Sequence, residues 1–108
     1  MSKETGSKER RHARITLPKG MTVAWYGGGQ QQVSRVKTLG MGGLFVCGSI
    51  TQPVGATLTL VFQVPGGVIQ AEAVVRNVVP GEGMGVEFVK MNDDSRALLT
   101  DLLRRLLR

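Results

Sequence analysis

Three arginines stand close together near the start of this chain, Arg10, Arg11 and Arg14, with His12 among them. A guanidinium group grips phosphate through two parallel N–H donors and stacks flat on a purine ring, so arginines at this spacing on an extended arm could clasp a phosphorylated nucleotide. Further along, residues 36–46 read VKTLGMGGLFV: two β-favouring runs around Gly40, Gly42 and Gly43, with Arg35 and Lys37 on the strand that leads in. Glycine has no Cβ, so the chain could take positive φ there, or a ligand could approach the backbone closely. On residue types alone, the arginines fit a solvated tail equally well, and the glycines fit a plain strand-connecting turn.

Other chemistry is poorly provided for. The chain holds one histidine and one cysteine, and no His, Cys, Asp or Glu cluster at metal-ligand spacing, so neither a metal nor another cofactor is expected. Ser34, Ser49 and Ser95 have no base near them in sequence. Residues 81–85 have the glycine density of a dinucleotide motif, but a strand and not a helix should follow, and a phosphate-loop lysine is missing. Capping explains the adjacent carboxylates Asp93 and Asp94 better than catalysis does. The inventory points to a binding protein rather than an enzyme.

With 108 residues, 42% of them hydrophobic and 20% charged, the chain is sized for one domain with one core. Its net charge of +6 is unevenly spread, since the first twenty residues carry six basic and two acidic side chains. That localisation suits an anionic partner met by a basic arm. The charged N-terminus lacks the apolar core of a secretory signal, no apolar run approaches the ~18 residues of a bilayer span, and a lone Cys47 suits a reducing compartment. These features predict a cytoplasmic protein without membrane insertion.

The elements that must position the arginines and the glycine turn follow from periodicity. Residues 1–8 read as a flexible basic arm, and residues 9–108 as one domain. Strands are expected at residues 21–26, 32–38, 44–47, 57–64, 68–79 and 84–89, separated by Gly- and Pro-rich turns, of which Gly27–Gly29 with the glutamines after it reads as a loose hairpin loop. In residues 57–64, Leu58, Leu60 and Phe62 should share one face; in 68–79, Ala71, Ala73 and Val75 should do so. Helical spacing appears only at about residues 93–107, where leucines 98, 99, 102, 103, 106 and 107 form a stripe behind the capping residues Asn92–Ser95. That stripe packs on the mouth of an antiparallel barrel or sandwich, or alternatively serves a homodimer.

Taken together, Arg10-x-x-x-Arg14, the turn ending Gly42-Gly43-Leu44, Val54-Gly55 before Leu58–Phe62 and Pro65, and Gly83-Met84-Gly85-Val86-Glu87-Phe88 before a terminal helix resemble a PilZ domain. The resemblance covers about residues 9–107. It implies an all-β, six-stranded antiparallel split barrel with a C-terminal helix, and a non-catalytic bacterial receptor for the second messenger cyclic di-GMP. By that resemblance Arg10 and Arg14 match the family's RxxxR pair, which holds guanine bases and phosphates, with Arg11 between them. The family's second motif, Asp or Asn, any residue, Ser, two residues, Gly, falls on Thr38–Gly43. Gly43 matches its final glycine, but Thr38 replaces a carboxylate or amide and Gly40 replaces a serine. The two losses amount to roughly 30- to 2,000-fold in affinity. Arg35 and Lys37 stand close enough in sequence to act as auxiliary contacts.

The expectation is therefore a cyclic di-GMP receptor that signals to an unidentified protein partner. The alternative is an adaptor of the same fold that has lost nucleotide binding. Nucleic acid is disfavoured as a partner, because few aromatics remain to stack bases once Phe62 and Phe88 are assigned to the core.

Overall fold

A computed structural model describes residues 14–16 and 21–107. Arg10, Arg11 and the arm before them lie outside the described residues. Among the described residues seven strands and a helix follow in order: β1 (Arg14–Thr16), β2 (Thr22–Gly27), β3 (Gln30–Gly40), β4 (Gly43–Cys47), β5 (Thr57–Val64), β6 (Gly67–Val79), β7 (Gly83–Met91) and α1 (Asp93–Leu106). The sheet runs β3-β2-β5-β6-β7-β4, and β4 pairs back onto β3, so six antiparallel strands close into a barrel. β1 adds a seventh, laid end to end with β2 along the same edge of β3.

Alternation drives the closure. Leu58, Leu60 and Phe62 of β5 and Ile69, Ala71, Ala73 and Val75 of β6 all turn inward, as their period of two requires. All of these but Ala71 meet Trp25, Leu39, Leu44, Met84 and Val86 in one core. The indole of Trp25 is fully buried, and its Nε1–H donates to Ser34 Oγ at 3.1 Å, so burying the ring leaves no orphaned donor.

Two local expectations change. Gly28 and Gly29 take φ of 58° and 80°, the signature of a tight two-residue type I′ turn, and Gly27 pairs directly with Gln30. The glutamines are thus strand residues of β3, held in register by that turn, and not part of a loose loop. None of Gly40, Gly42 and Gly43 adopts positive φ. The connection from β3 to β4 is only Met41–Gly42, and Gly43 already belongs to β4.

Gly43 is required for a steric reason instead. A Cβ there would overlap the carbonyl oxygen of Val86 on β7, and a Cβ on Gly83 would overlap the carbonyl oxygen of Val46 on β4. β4 and β7 lie closely against each other, and a glycine makes room near each end of their ladder.

The helix lies against β6 and one end of the barrel. Asn92 caps it, its Oδ1 accepting from the Ser95 N–H at 2.7 Å, and Asp93 and Asp94 place negative charge in the first turn. Ser95 is itself buried, and its Oγ accepts from the Gln70 N–H of β6 at 3.1 Å. Leu99 and Leu103 enter the core, with Leu98, Leu102 and Leu106 packed beside them, so the stripe is spent on the barrel and Leu107 is left 75% exposed. Asn92→Ala should cost about 1 kcal/mol of unfolding free energy in a urea titration. An unchanged midpoint would mean that packing alone fixes this helix start.

Candidate functional site

The candidate site is built on the C-terminal half of β3. Ordinary alternation from buried Val36 would put Lys37 outside and Thr38 inside. The β3–β4 register shifts between Val36 and Thr38, which pair with the adjacent residues Val46 and Phe45, so Lys37 is the extra residue of a β-bulge. Lys37 is exposed, Thr38 half-buried and Leu39 fully buried, so the bulge turns Lys37 and Thr38 outward together and restores the inward direction at Leu39. The ammonium of Lys37 lies 5.8 Å from the centre of the Phe45 ring, within cation–π range.

On the opposite edge of this half-strand lies β1. Its register sets Arg14 across from Gly40, Ile15 across from Leu39 and Thr16 across from Thr38. The end of the arginine segment and the Thr38–Gly40 segment, distant in sequence, are thereby neighbours in one ladder. Thr16 was not anticipated in this place; the signal for it was the short alternation Arg14-Ile15-Thr16, which is weak on its own.

The remaining candidates are placed differently. Gly43 fits against the backbone of β7, and its neighbour Gly42 accepts from the Phe88 N–H at 2.8 Å, which ties the turn to the same strand. Arg35 is exposed across from Thr22, nearer the middle of β3. Among the described residues neither Arg35 nor Lys37 is in a salt bridge. Met41 of the turn touches the helix, where Thr100 Oγ1 lies 3.8 Å from its sulfur. No group of three or more metal-ligating side chains occurs among the described residues. No helix among them is long and apolar enough to cross a membrane.

A closed six-stranded antiparallel barrel with a C-terminal helix on one end, and an arginine-bearing segment paired to the strand before a glycine turn, defines a small β-barrel domain. The chain belongs to the PilZ domain family, whose sequence model matches residues 8–105, and as such it is a non-catalytic domain. Solved structures share the fold. The Bacillus subtilis inhibitor of motility MotI/DgrA is 22% identical with a TM-score of 0.75, over 91% of this chain and 51% of its own. Borreliella burgdorferi PlzA, solved in complex with c-di-GMP, is 20% identical with a TM-score of 0.71, over 92% and 43%. The MrkH–c-di-GMP complex from K. pneumonia is 17% identical with a TM-score of 0.72, over 91% and 51%. The chain spans about half the length of these structures. Among curated proteins none matches it.

Proposed function

We propose that this domain is a cytoplasmic receptor for cyclic di-GMP that passes the binding event to a protein partner. The observation that carries the reading is the register of β1 on β3, with Arg14 across from Gly40 and Thr16 across from Thr38. It supports a single site in which Arg10 and Arg14 grip phosphate and guanine, Arg11 lies between them, and Thr38 and Gly40 line the ligand's other side. Two of the solved relatives are complexes with this nucleotide, which supports the same ligand here. Lys37, turned outward beside Thr38 by the bulge, and Arg35 add positive charge to the approach.

In this reading the ligand bridges the arginine segment to the outer face of β3. Binding then fixes the arm's position and changes the surface offered to a partner. Gly43, the counterpart of the motif's final glycine, closes the ligand-facing turn in this reading and also lets β4 lie against β7.

Thr38 retains only a hydroxyl where the family has a carboxylate or amide, so Thr38→Asp should restore the stronger contact to a guanine edge. A charge-assisted hydrogen bond is worth roughly 1.5–3 kcal/mol, so affinity should rise by about 10- to 100-fold in an equilibrium titration with cyclic di-GMP. Unchanged affinity of Thr38→Asp relative to wild type would remove position 38 from the site. Failure of both proteins to bind would leave the adaptor reading.

A further inference from the structure

β4 closes the barrel along only part of β3. It pairs at Val36, Thr38 and Leu39 and goes no further back, while β2 occupies the other edge of β3 from Gln30 to Arg35. The β4-side edge of Gln30–Arg35 therefore has no partner strand among the described residues. Two observations fix which backbone groups face it. The two-residue turn makes Gly27 and Gln30 a hydrogen-bonded pair, and the Val36 N–H donates to the Met21 carbonyl at 2.9 Å. Both put the even-numbered residues of β3 on the β2 ladder. The N–H and C=O groups of Gln31, Val33 and Arg35 consequently point to the open edge.

The space beside that edge is a groove. Beyond Cys47 the chain continues through Gly48, at φ 143°, and a groove of about 390 Å³ lies between residues 32–35 and residues 47–50. Val33 on one wall and Ile50 on the other are 72% and 46% exposed. Val33 also borders a neighbouring depression with Ala24, Val61 and Val68, so apolar surface continues across the outside of β2 and β5. Unpaired backbone groups beside exposed apolar side chains are a template for strand addition.

We propose that the Gln31–Arg35 edge receives an extended segment of an acidic partner protein as an added β-strand. An apolar side chain of that segment packs against Val33 and Ile50, and its carboxylates meet Arg35 and Lys37. Charge selects this occupant over a second copy of the chain. Each copy carries a net +6, and two copies joined at this edge would crowd the Arg35 and Lys37 side chains of both onto one short seam. The edge shares Arg35 and Lys37 with the approach to the proposed nucleotide site, so peptide binding is measured without nucleotide, and its outcome stands apart from the nucleotide titration.

The test uses the whole chain and a short fluorescent peptide that alternates valine and glutamate, followed by anisotropy. Saturable binding is expected. Val33→Pro removes an edge-directed N–H while leaving the β2 ladder whole, and should weaken binding about tenfold or more. Arg35→Glu, at an exposed position, should weaken it by a similar factor without disturbing the fold, and melting curves of both variants check that. The same peptide N-methylated at alternate residues cannot form a ladder and should not bind. No binding of the parent peptide, equal binding of the N-methylated peptide, or equal binding by wild type and both variants overturns the proposal. A dimer in sedimentation that either variant dissociates would assign the edge to a second copy and overturn it as well.

Discussion

Replacing Arg10 and Arg14 together by alanine is expected to lower affinity for cyclic di-GMP by about 10²- to 10⁴-fold, the largest functional effect of any change in this chain. Each guanidinium would contribute a charge-assisted contact of roughly 1.5–3 kcal/mol, and losing two that address one ligand compounds the effect. Stability should hardly move. Arg14 belongs to a three-residue strand that, among the described residues, pairs with the end of β3 alone, and substitutions at such peripheral sites stay within about 0.5 kcal/mol. Arg76→Ala supplies the comparison, because Arg76 lies on β6 with its Nε 2.6 Å from Glu87 Oε1 in an exposed pair. That variant should bind within about twofold of wild type. Equal affinity of the double variant and wild type would show that the arginines are a solvated segment and not a clamp.

The largest structural effect is expected from Gly43→Ala. Two terms oppose each other there. Gly43 is not at positive φ, so alanine would reduce unfolded-chain entropy and stabilise by about 0.4–1 kcal/mol if there were room for it. There is no room, because the new methyl group would overlap the Val86 carbonyl, a backbone atom held in the β4–β7 ladder. Overpacking against backbone costs about 1–3 kcal/mol or more, so the steric term wins. The melting temperature should fall by roughly 5–15 °C in the absence of any nucleotide. An unchanged melting temperature with lost nucleotide affinity would place Gly43 at the ligand instead of in the barrel's closure.

The difference between those two residues follows what could be read from sequence. Residues 57–64 alternate so strictly that the inward set Leu58, Leu60 and Phe62 was legible at once, and the helix announced itself through its Asn92 cap and paired leucines. Both signals are local. The role of Gly43 was not legible, because the atom that forbids a side chain there belongs to Val86, far along the chain. The glycines of residues 40–43 suggested either positive φ or a close approach to the backbone, and at Gly43 the close approach is that of β7.

The bulge was hidden for a related reason. A period of two assigns Lys37 and Thr38 to opposite faces, and only the pairing of Val36 with Val46 and of Thr38 with Phe45 turns both outward. β1 is three residues long, too short for alternation to mark it, and its existence rests on the edge that β3 offers beyond the end of β2. The glutamines after Gly29 look like loop by composition, yet the tight turn at Gly28–Gly29 draws them into register opposite Tyr26 and Trp25. The two motif segments were identified from residue types, whereas their adjacency is a property of the ladder.

Cyclic di-GMP is proposed to bind this barrel despite threonine at position 38 and glycine at position 40. Calorimetric titration of the wild-type chain with the nucleotide tests it most directly. Saturable binding is expected, with a dissociation constant on the order of micromolar, about −8 kcal/mol, lost in the Arg10→Ala, Arg14→Ala variant. No binding heat at a protein concentration of about 100 μM, at two temperatures so that a chance zero of enthalpy is avoided, would contradict it and make the domain a nucleotide-independent adaptor.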